Sequence, residues 1–165
     1  MKLDSLQLTN FRNIKELLIE PCGEINIIYG ENAQGKTNIL EAIWLLCGAK
    51  SFRGAKDGEL IKFGEKKASV NAAFTSQGRE QTISIDIESG RTAALNGVDM
   101  SPVSRLSESF QAVVFSPSHL TLITDGPQAR RRFTDQAIAQ IIPRYSAVLR
   151  EYGRALKQRN AVLKD

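Results

Sequence analysis

The sequence predicts an α/β fold built around a phosphate-binding loop, and three observations carry that prediction. An apolar run, Ile25-Asn26-Ile27-Ile28-Tyr29, breaks off at Gly30; residues 30–37 form a glycine-bounded octet; and an amphipathic helix starts directly behind it. The chain has 165 residues, 42% hydrophobic and 24% charged, one domain's worth of ordinary globular composition. That composition excludes a disordered tail, a rod and a collagen-like chain. No window reaches the roughly 18 apolar residues of a membrane span, and Met1-Lys2-Leu3-Asp4-Ser5 has an acid where an export signal has its apolar run, so the expected location is cytoplasmic.

Taken in order, Leu6 and Leu8 alternate with polar residues, Leu17-Leu18-Ile19 forms a second short apolar run, and residues 25–29 form a third, so three strands are expected before the octet. From Asn38 the apolar positions Ile39, Leu40, Ile43, Leu46 and Cys47 share one helical stripe, and Gly48 stops it. Residues 48–66 read as an exposed loop with a short Leu60-Ile61 element. Val70, Ala72 and Phe74, then Ile83, Ile85 and Ile87, alternate as strands, and Asn96-Gly97 is a two-residue hairpin turn. The middle therefore reads as an antiparallel lobe, followed by a short apolar strand at residues 112–115. After Asp125-Gly126-Pro127 the pattern turns helical, with Pro143 as a break or a first turn and a last helix starting near Arg144. Its stripe of Tyr145, Val148, Leu149, Tyr152, Leu156, Val162 and Leu163 reaches the end of the sequence with no cap, which suggests a piece of something longer. The expected division is residues 1–126, an incomplete nucleotide-binding lobe, and 127–165, the beginning of a helical lobe.

The octet Gly30-Glu31-Asn32-Ala33-Gln34-Gly35-Lys36-Thr37 matches G-x-x-x-x-G-K-[ST]. Gly30 lets the chain leave the strand sharply, and Gly35 takes a backbone conformation denied to side chains, so that successive N–H groups face a phosphate. The helix adds its positive end. Lys36 is spaced to reach β- and γ-phosphate oxygens and Thr37 to ligate Mg²⁺, which makes Lys36 the catalytic candidate and a nucleotide with Mg²⁺ the expected ligands. Hydrolysis also needs carboxylates at the end of another strand. The one lookalike, Ile83-Ser84-Ile85-Asp86-Ile87-Glu88, alternates strictly and reads as a half-exposed antiparallel strand. Cys22 and Cys47 form no metal-ligand spacing and read as two small, partly buried residues.

The net charge of +4 is unevenly spread. Residues 127–165 hold nine basic side chains (Arg130, Arg131, Arg132, Arg144, Arg150, Arg154, Lys157, Arg159, Lys164) against Asp135, Glu151 and Asp165, leaving the first 126 residues at −2. A basic end of this kind fits a polyanionic partner or a solvated helix face.

Leu8-Thr9-Asn10-Phe11-Arg12-Asn13, residues 30–43, Ser51-Phe52-Arg53, Arg130-Arg131-Arg132-Phe133-Thr134-Asp135 and residues 156–164 together resemble the bacterial RecF recombination and repair family. The resemblance implies an ABC/SMC-type ATPase head with a mixed sheet, an antiparallel lobe and a helical lobe. It further implies ATP and Mg²⁺ binding, an ATP-dependent homodimer, recognition of gapped or junction DNA, and action with the mediators RecR and RecO. The family's signature motif and paired acids lie in a second half, in keeping with a chain that binds ATP but hydrolyses it negligibly. Carried over by residue, it implies nucleotide contacts at Gly30, Glu31, Asn32, Ala33, Gln34, Gly35, Lys36, Thr37, Asn38 and Arg12. Three departures stand out: Ala33 at a position often glycine, tolerated if φ is negative there; Thr134 where Leu is usual; and Ser118-His119 in place of an acidic pair. Lys50, Arg53 and Lys56 resemble a DNA-contacting loop, and Arg130 is a further DNA-contact candidate. Each of these has a structural alternative: a surface arginine for Arg12, a cap for Asn38, a solvated loop for residues 50–56, and an ion pair with Asp135 for the arginine triplet. Two other functions stay open on the residues, a small self-contained P-loop kinase using Asp86, and a DNA-binding scaffold that nucleotide merely stabilises.

Overall fold

The computed structural model describes residues 1–117, 126–142 and 144–163, and the readings at Ser118, His119, Pro143 and Lys164 lie outside them. The chain separates into two units, Met1–Val114 and Phe115–Asp165.

The first unit is built on one antiparallel sheet with strand order β2-β1-β3-β4-β5-β6: β1 Lys2–Phe11, β2 Ile14–Ile19, β3 Ala68–Ser76, β4 Arg79–Ile87, β5 Arg91–Leu95 and β6 Val98–Asp99. The alternation seen in the sequence sets the register. Leu8 faces Val70, Val70 faces Ile85 and Ile85 faces Ala93, all buried on one face of the sheet; Leu6, Ala72 and Ile83 form the next row. Each leucine, valine and isoleucine in these rows contributes about 1.5–3 kcal/mol on burial, and Phe74 meets Phe110 edge-on, ring centroids 5.1 Å apart. Asn96 and Gly97 have φ of 52° and 77°, the left-handed pair that a two-residue hairpin needs to match strand twist.

Helix α1, Lys36–Leu45, packs on that same buried face largely by the stripe read from the sequence: Leu46 and Cys47 are buried, and Ile39 and Ile43 pack partly buried against the core. Glu41, Ala42, Trp44 and Leu45 are buried as well, whereas Leu40 is 47% exposed. A charged residue, Glu41, takes the core-facing place expected for Leu40. Leu46, Cys47 and Gly48 then close the helix through backbone bonds to Ile43, Trp44 and Leu45.

Two expected strands are absent among the described residues. Residues 25–29 belong to no strand, with Ile25, Ile27 and Tyr29 about 80–90% exposed, and residues 112–115 are likewise irregular, with Val113 and Phe115 exposed. A strand is a pairing and not a property of one segment, and among the described residues neither segment joins the sheet. The sheet present is thus the expected antiparallel lobe, without the parallel component of a mixed sheet.

In the second unit, α2 (Pro127–Ile141) starts with Gly126 as N-cap and Pro127 in the first turn, and α3 spans Tyr145–Val162. Asp135 accepts a 2.5 Å hydrogen bond from the Tyr145 hydroxyl, which holds that phenol's pKa above its usual value, and the Arg132 side chain of the triplet lies outside the described residues. The α3 stripe is largely exposed at Val148, Tyr152 and Val162.

The two thiols differ. Cys22 is exposed, contrary to the expectation for it, and its Sγ–H reaches the Ile25 carbonyl at 3.1 Å; Cys47 is buried, and loss of solvation pushes its pKa up to about 12 against the opposing pull of backbone hydrogen bonds. Titration of the 165-residue chain with a thiol reagent at pH 8 is expected to release one fast equivalent, from Cys22, and a second only on unfolding. Two fast equivalents would contradict this packing.

Candidate nucleotide-binding site

The octet folds as a loop capped onto α1. Gly35 is the N-cap with φ 95° and is buried; that conformation demands glycine, and a Cβ there would lie 2.9 Å from Asn13 Oδ1 and displace the Asn13 side chain. The first helical bonds run from Asn38 N and Ile39 N to Gly35 O, which leaves the N–H groups of Lys36 and Thr37 pointing off the helix end, the arrangement that receives an anion. Lys36 folds into the loop, its ammonium donating to Gly30 O at 2.8 Å and Glu31 O at 2.5 Å. Glu31, Asn32, Ala33, Gln34 and Thr37 are exposed.

Ala33 does not have the negative φ expected for tolerance of alanine; φ is 66°. The loop keeps the left-handed conformation, with the Ala33 carbonyl accepting a hydrogen bond from Asn13 Nδ2 at 2.9 Å. Alanine in that region costs about 1–2 kcal/mol.

Arg12, Asn13, Asn38 and Arg53 come together beside the loop through a residue to which the sequence pattern assigns no role, Glu41. Its carboxylate is fully buried. Arg12 binds it by two parallel bonds, Nε to Oε2 at 2.9 Å and Nη2 to Oε1 at 2.8 Å, while Arg12 Nη1 donates to Glu59 O at 2.9 Å. The Ser51 hydroxyl donates to Glu41 Oε1 in a very short hydrogen bond, and Arg53 Nη1 lies 3.7 Å from Oε2. The second expected role of Asn38, as a cap, is not what its side chain does: Nδ2 donates to Asn13 Oδ1 at 2.8 Å and Oδ1 accepts from Arg53 Nη1 at 2.9 Å. One chain of polar contacts therefore runs from the loop carbonyl of Ala33 through Asn13, Asn38 and Arg53 to Glu41 and Arg12. Glu41 is hidden in the sequence because it stands between Leu40 and Ala42 in an apolar run; the signal available is a lone acid on a core-facing helical position with Arg12 and Arg53 elsewhere to neutralise it.

The basic loop behind α1 is held at several points. Trp44 Nε1 donates to Lys50 O, Ser51 Oγ accepts from the backbone of Arg53 and Ala55, and Arg91 bridges Ala49 O at 2.6 Å and Asp57 Oδ1 at 2.7–2.8 Å. Lys50 and Lys56 project from it, exposed, and Arg53, exposed too, turns its guanidinium back onto Asn38 and Glu41. Arg130 lies exposed on α2 in the other unit. Asp86 lies on the sheet face opposite the one that carries α1 and pairs with Lys67 at 3.1 Å. Among the described residues no cluster of His, Cys, Asp and Glu could hold a metal ion, and no helix is long and apolar enough to cross a membrane.

A model of the AAA domain family matches residues 5–147. The chain belongs to that family. It is also homologous to RecF proteins, being 40% identical over its whole length to the DNA replication and repair protein RecF of Clostridioides difficile (strain 630) and 40% identical to that of Oceanobacillus iheyensis, in each case covering 45% of the relative. The chain thus spans about half the length of the curated relatives it matches. Among solved structures, the recombination mediator protein RecF with the nucleotide ATPrS in the RecFOR pathway superposes with a TM-score of 0.92 at 37% identity, over 98% of this chain and 44% of that one. The SMC head domain from Thermotoga maritima matches with a TM-score of 0.56 at 25% identity over 67% of this chain and 43% of that one. The fold is accordingly the α/β P-loop head of ABC/SMC type expected from the sequence.

Because Glu41 is a buried charge with two cationic partners, Glu41→Ala is expected to destabilise the first unit by about 3–5 kcal/mol in denaturant unfolding. Ala33→Gly is expected to stabilise it by about 1 kcal/mol, by relieving the left-handed alanine. A neutral Glu41→Ala would contradict the burial of its charge.

Proposed function

We propose that the chain is the nucleotide-binding part of an ATP-controlled DNA-binding protein of recombinational repair. The observation that carries this reading is the octet's geometry: a left-handed Gly35 N-cap, helix N–H groups directed outward, and a lysine ammonium already inside the loop on the Gly30 and Glu31 carbonyls. The relatives named RecF, two of which were solved as RecF-ATPrS and RecF-ATP, support ATP as the nucleotide. Lys36 would exchange its two carbonyl partners for β- and γ-phosphate oxygens. The backbone of residues 30–35 lines the phosphates, Thr37 offers its exposed hydroxyl to Mg²⁺, and Asn38 and Arg12 stand at the flank. Mg²⁺, when bound, supplies neutralisation of the charge that develops between the β- and γ-phosphates. An ammonium, a hydroxyl and free N–H groups form a donor set that fits this pair of ligands.

Two observations support binding without turnover by these residues. Asp86 occupies the sheet face away from α1 and is engaged by Lys67, so it is badly placed to orient an attacking water, and the same placement removes the acid a small P-loop kinase would need. In the complete protein the reading extends to in-line attack by water, an ATP-dependent homodimer, and a cytoplasmic role at gapped DNA with RecR and RecO. Lys50, Arg53 and Lys56, held on a braced loop, are the proposed phosphate contacts of the DNA, and Arg130 is a further one.

The 165-residue chain is expected to bind ATP, Lys36→Ala to weaken that binding by about tenfold or more in calorimetry, and hydrolysis to stay at background. Turnover at the rate of the complete protein would contradict the reading. For DNA, replacing Lys50, Arg53 and Lys56 by Ala is expected to flatten the slope of log K against log salt by up to about 0.9 for each DNA phosphate that the variant no longer neutralises. Unchanged salt dependence would remove this loop from the interface, and DNA binding indifferent to ATP would favour the scaffold.

A further inference from the structure

Helix α3 carries four cations, Arg150, Arg154, Lys157 and Arg159, against one acid, Glu151. Three of the cations fall in a row. Arg150, Arg154 and Lys157 stand at i, i+4 and i+7 on one side of the helix, and Ala147 and Ala161 extend the same row by a turn at either end, with nothing bulky to cover it. At 1.5 Å per residue the three charges span about 10 Å of the helix axis, and all three side chains are exposed. The far side of the helix is engaged: Tyr145, about 140° round from Arg150, donates its hydroxyl to Asp135 of α2 at 2.5 Å. Glu151 is turned about 100° from Arg150. It lies one turn before Arg154, yet no ion pair joins the two among the described residues. Like charges at i and i+4 repel, so the fold gains nothing from setting Arg150 and Arg154 in line, whereas an external anion does.

We propose that the row of Arg150, Arg154 and Lys157 is a binding surface for duplex DNA, lying along the phosphates of one strand and reading no bases. The inference rests on the DNA-binding reading above and deepens it, because it adds a surface on α3, an element that carries none of Lys50, Arg53, Lys56 and Arg130. A duplex presents one negative charge per about 1.7 Å of its axis, a regular rail of charge that an evenly spaced row of cations matches. Contacts of this kind hold the protein on the backbone and carry no sequence information. The row contains no aromatic side chain, so it lacks the stacking platform by which single strands are held. The small Ala147 and Ala161 leave the helix side open to close approach along its length.

The test follows binding of a mixed-sequence duplex by the complete protein as log K against log salt. The triple variant Arg150→Gln, Arg154→Gln, Lys157→Gln is expected to flatten the slope by about 2–3, near 0.9 for each phosphate no longer neutralised, and to weaken binding about tenfold or more at 0.1 M salt. Each single Gln substitution is expected to remove about 0.9 of slope, and Gln is close to Arg and Lys in helix propensity, so α3 is kept. Arg150→Lys with Arg154→Lys keeps the charges and is expected to retain the slope. Arg159→Gln, off the row and bonded to Asn160 at 3.3 Å, is expected to leave it unchanged. An unchanged slope in the triple variant overturns the proposal, as does a flattening of about 0.9 by Arg159→Gln alone, which would reduce the effect to net charge. Loss of affinity for polyglutamate with the DNA slope intact would make the row a dock for an acidic protein and overturns it too. Wild-type protein that binds no duplex overturns the DNA-binding reading itself, and this surface with it. Wild-type binding with indifferent Gln variants overturns the surface alone.

Discussion

The carboxylate of Glu41 is the constraint around which the rest of the nucleotide site is arranged. A fully buried carboxylate would be prohibitively costly alone, and it persists because two other segments converge on it: the β1–β2 turn through Arg12, and the loop behind α1 through Ser51 and through Arg53, 3.7 Å away. The bidentate guanidinium fixes direction as well as distance. In consequence the turn carrying Asn13 is locked over α1, and Asn13 braces the phosphate loop at Ala33. The strained backbone at Arg12 and Ala33, both left-handed, is held by these bonds and not by any preference of the residues themselves.

The same convergence gives the basic loop a physical relation to the phosphate loop. Asn38 sits one residue after Thr37 and accepts from Arg53, so a change at the helix N-terminus is one hydrogen bond from the loop that projects Lys50 and Lys56. Arg91 closes the other end by tying Ala49 and Asp57 to the sheet. A loop braced at both ends presents its charges at little ordering cost, which suits contact with a polyanion.

Much of this is legible in the residues. The octet's spacing has one mechanism, the alternation in β3 and β4 allows one register, and Asn96-Gly97 allows one hairpin, because each is a local rule obeyed locally. What is not legible depends on partners. Residues 25–29 have every strand propensity and no strand, because pairing is supplied by a neighbour. Hydrophobic periodicity assigns Leu40 to the core and passes over Glu41 because it scores a buried acid as an error, when Arg12, 29 positions away, makes it the pivot. The placement of Ala33 in the left-handed region, against the expectation of a negative φ, is likewise decided by Asn13 from another segment. The residues missed are thus those whose role is to hold others: Glu41, Ser51, Asn13 and Arg91.

If Glu41 on α1 ties the β1–β2 turn and the loop behind the helix to the phosphate loop, its loss must be felt in all three at once. Hydrogen exchange of Glu41→Gln, which keeps the shape and removes the charge, measures this directly. The account predicts a concerted loss of protection at residues 10–13, 33–38 and 51–55, while the paired strands β3 and β4 keep theirs. Faster exchange confined to α1, or unchanged exchange throughout, would show that the carboxylate is merely tolerated in the core and organises nothing.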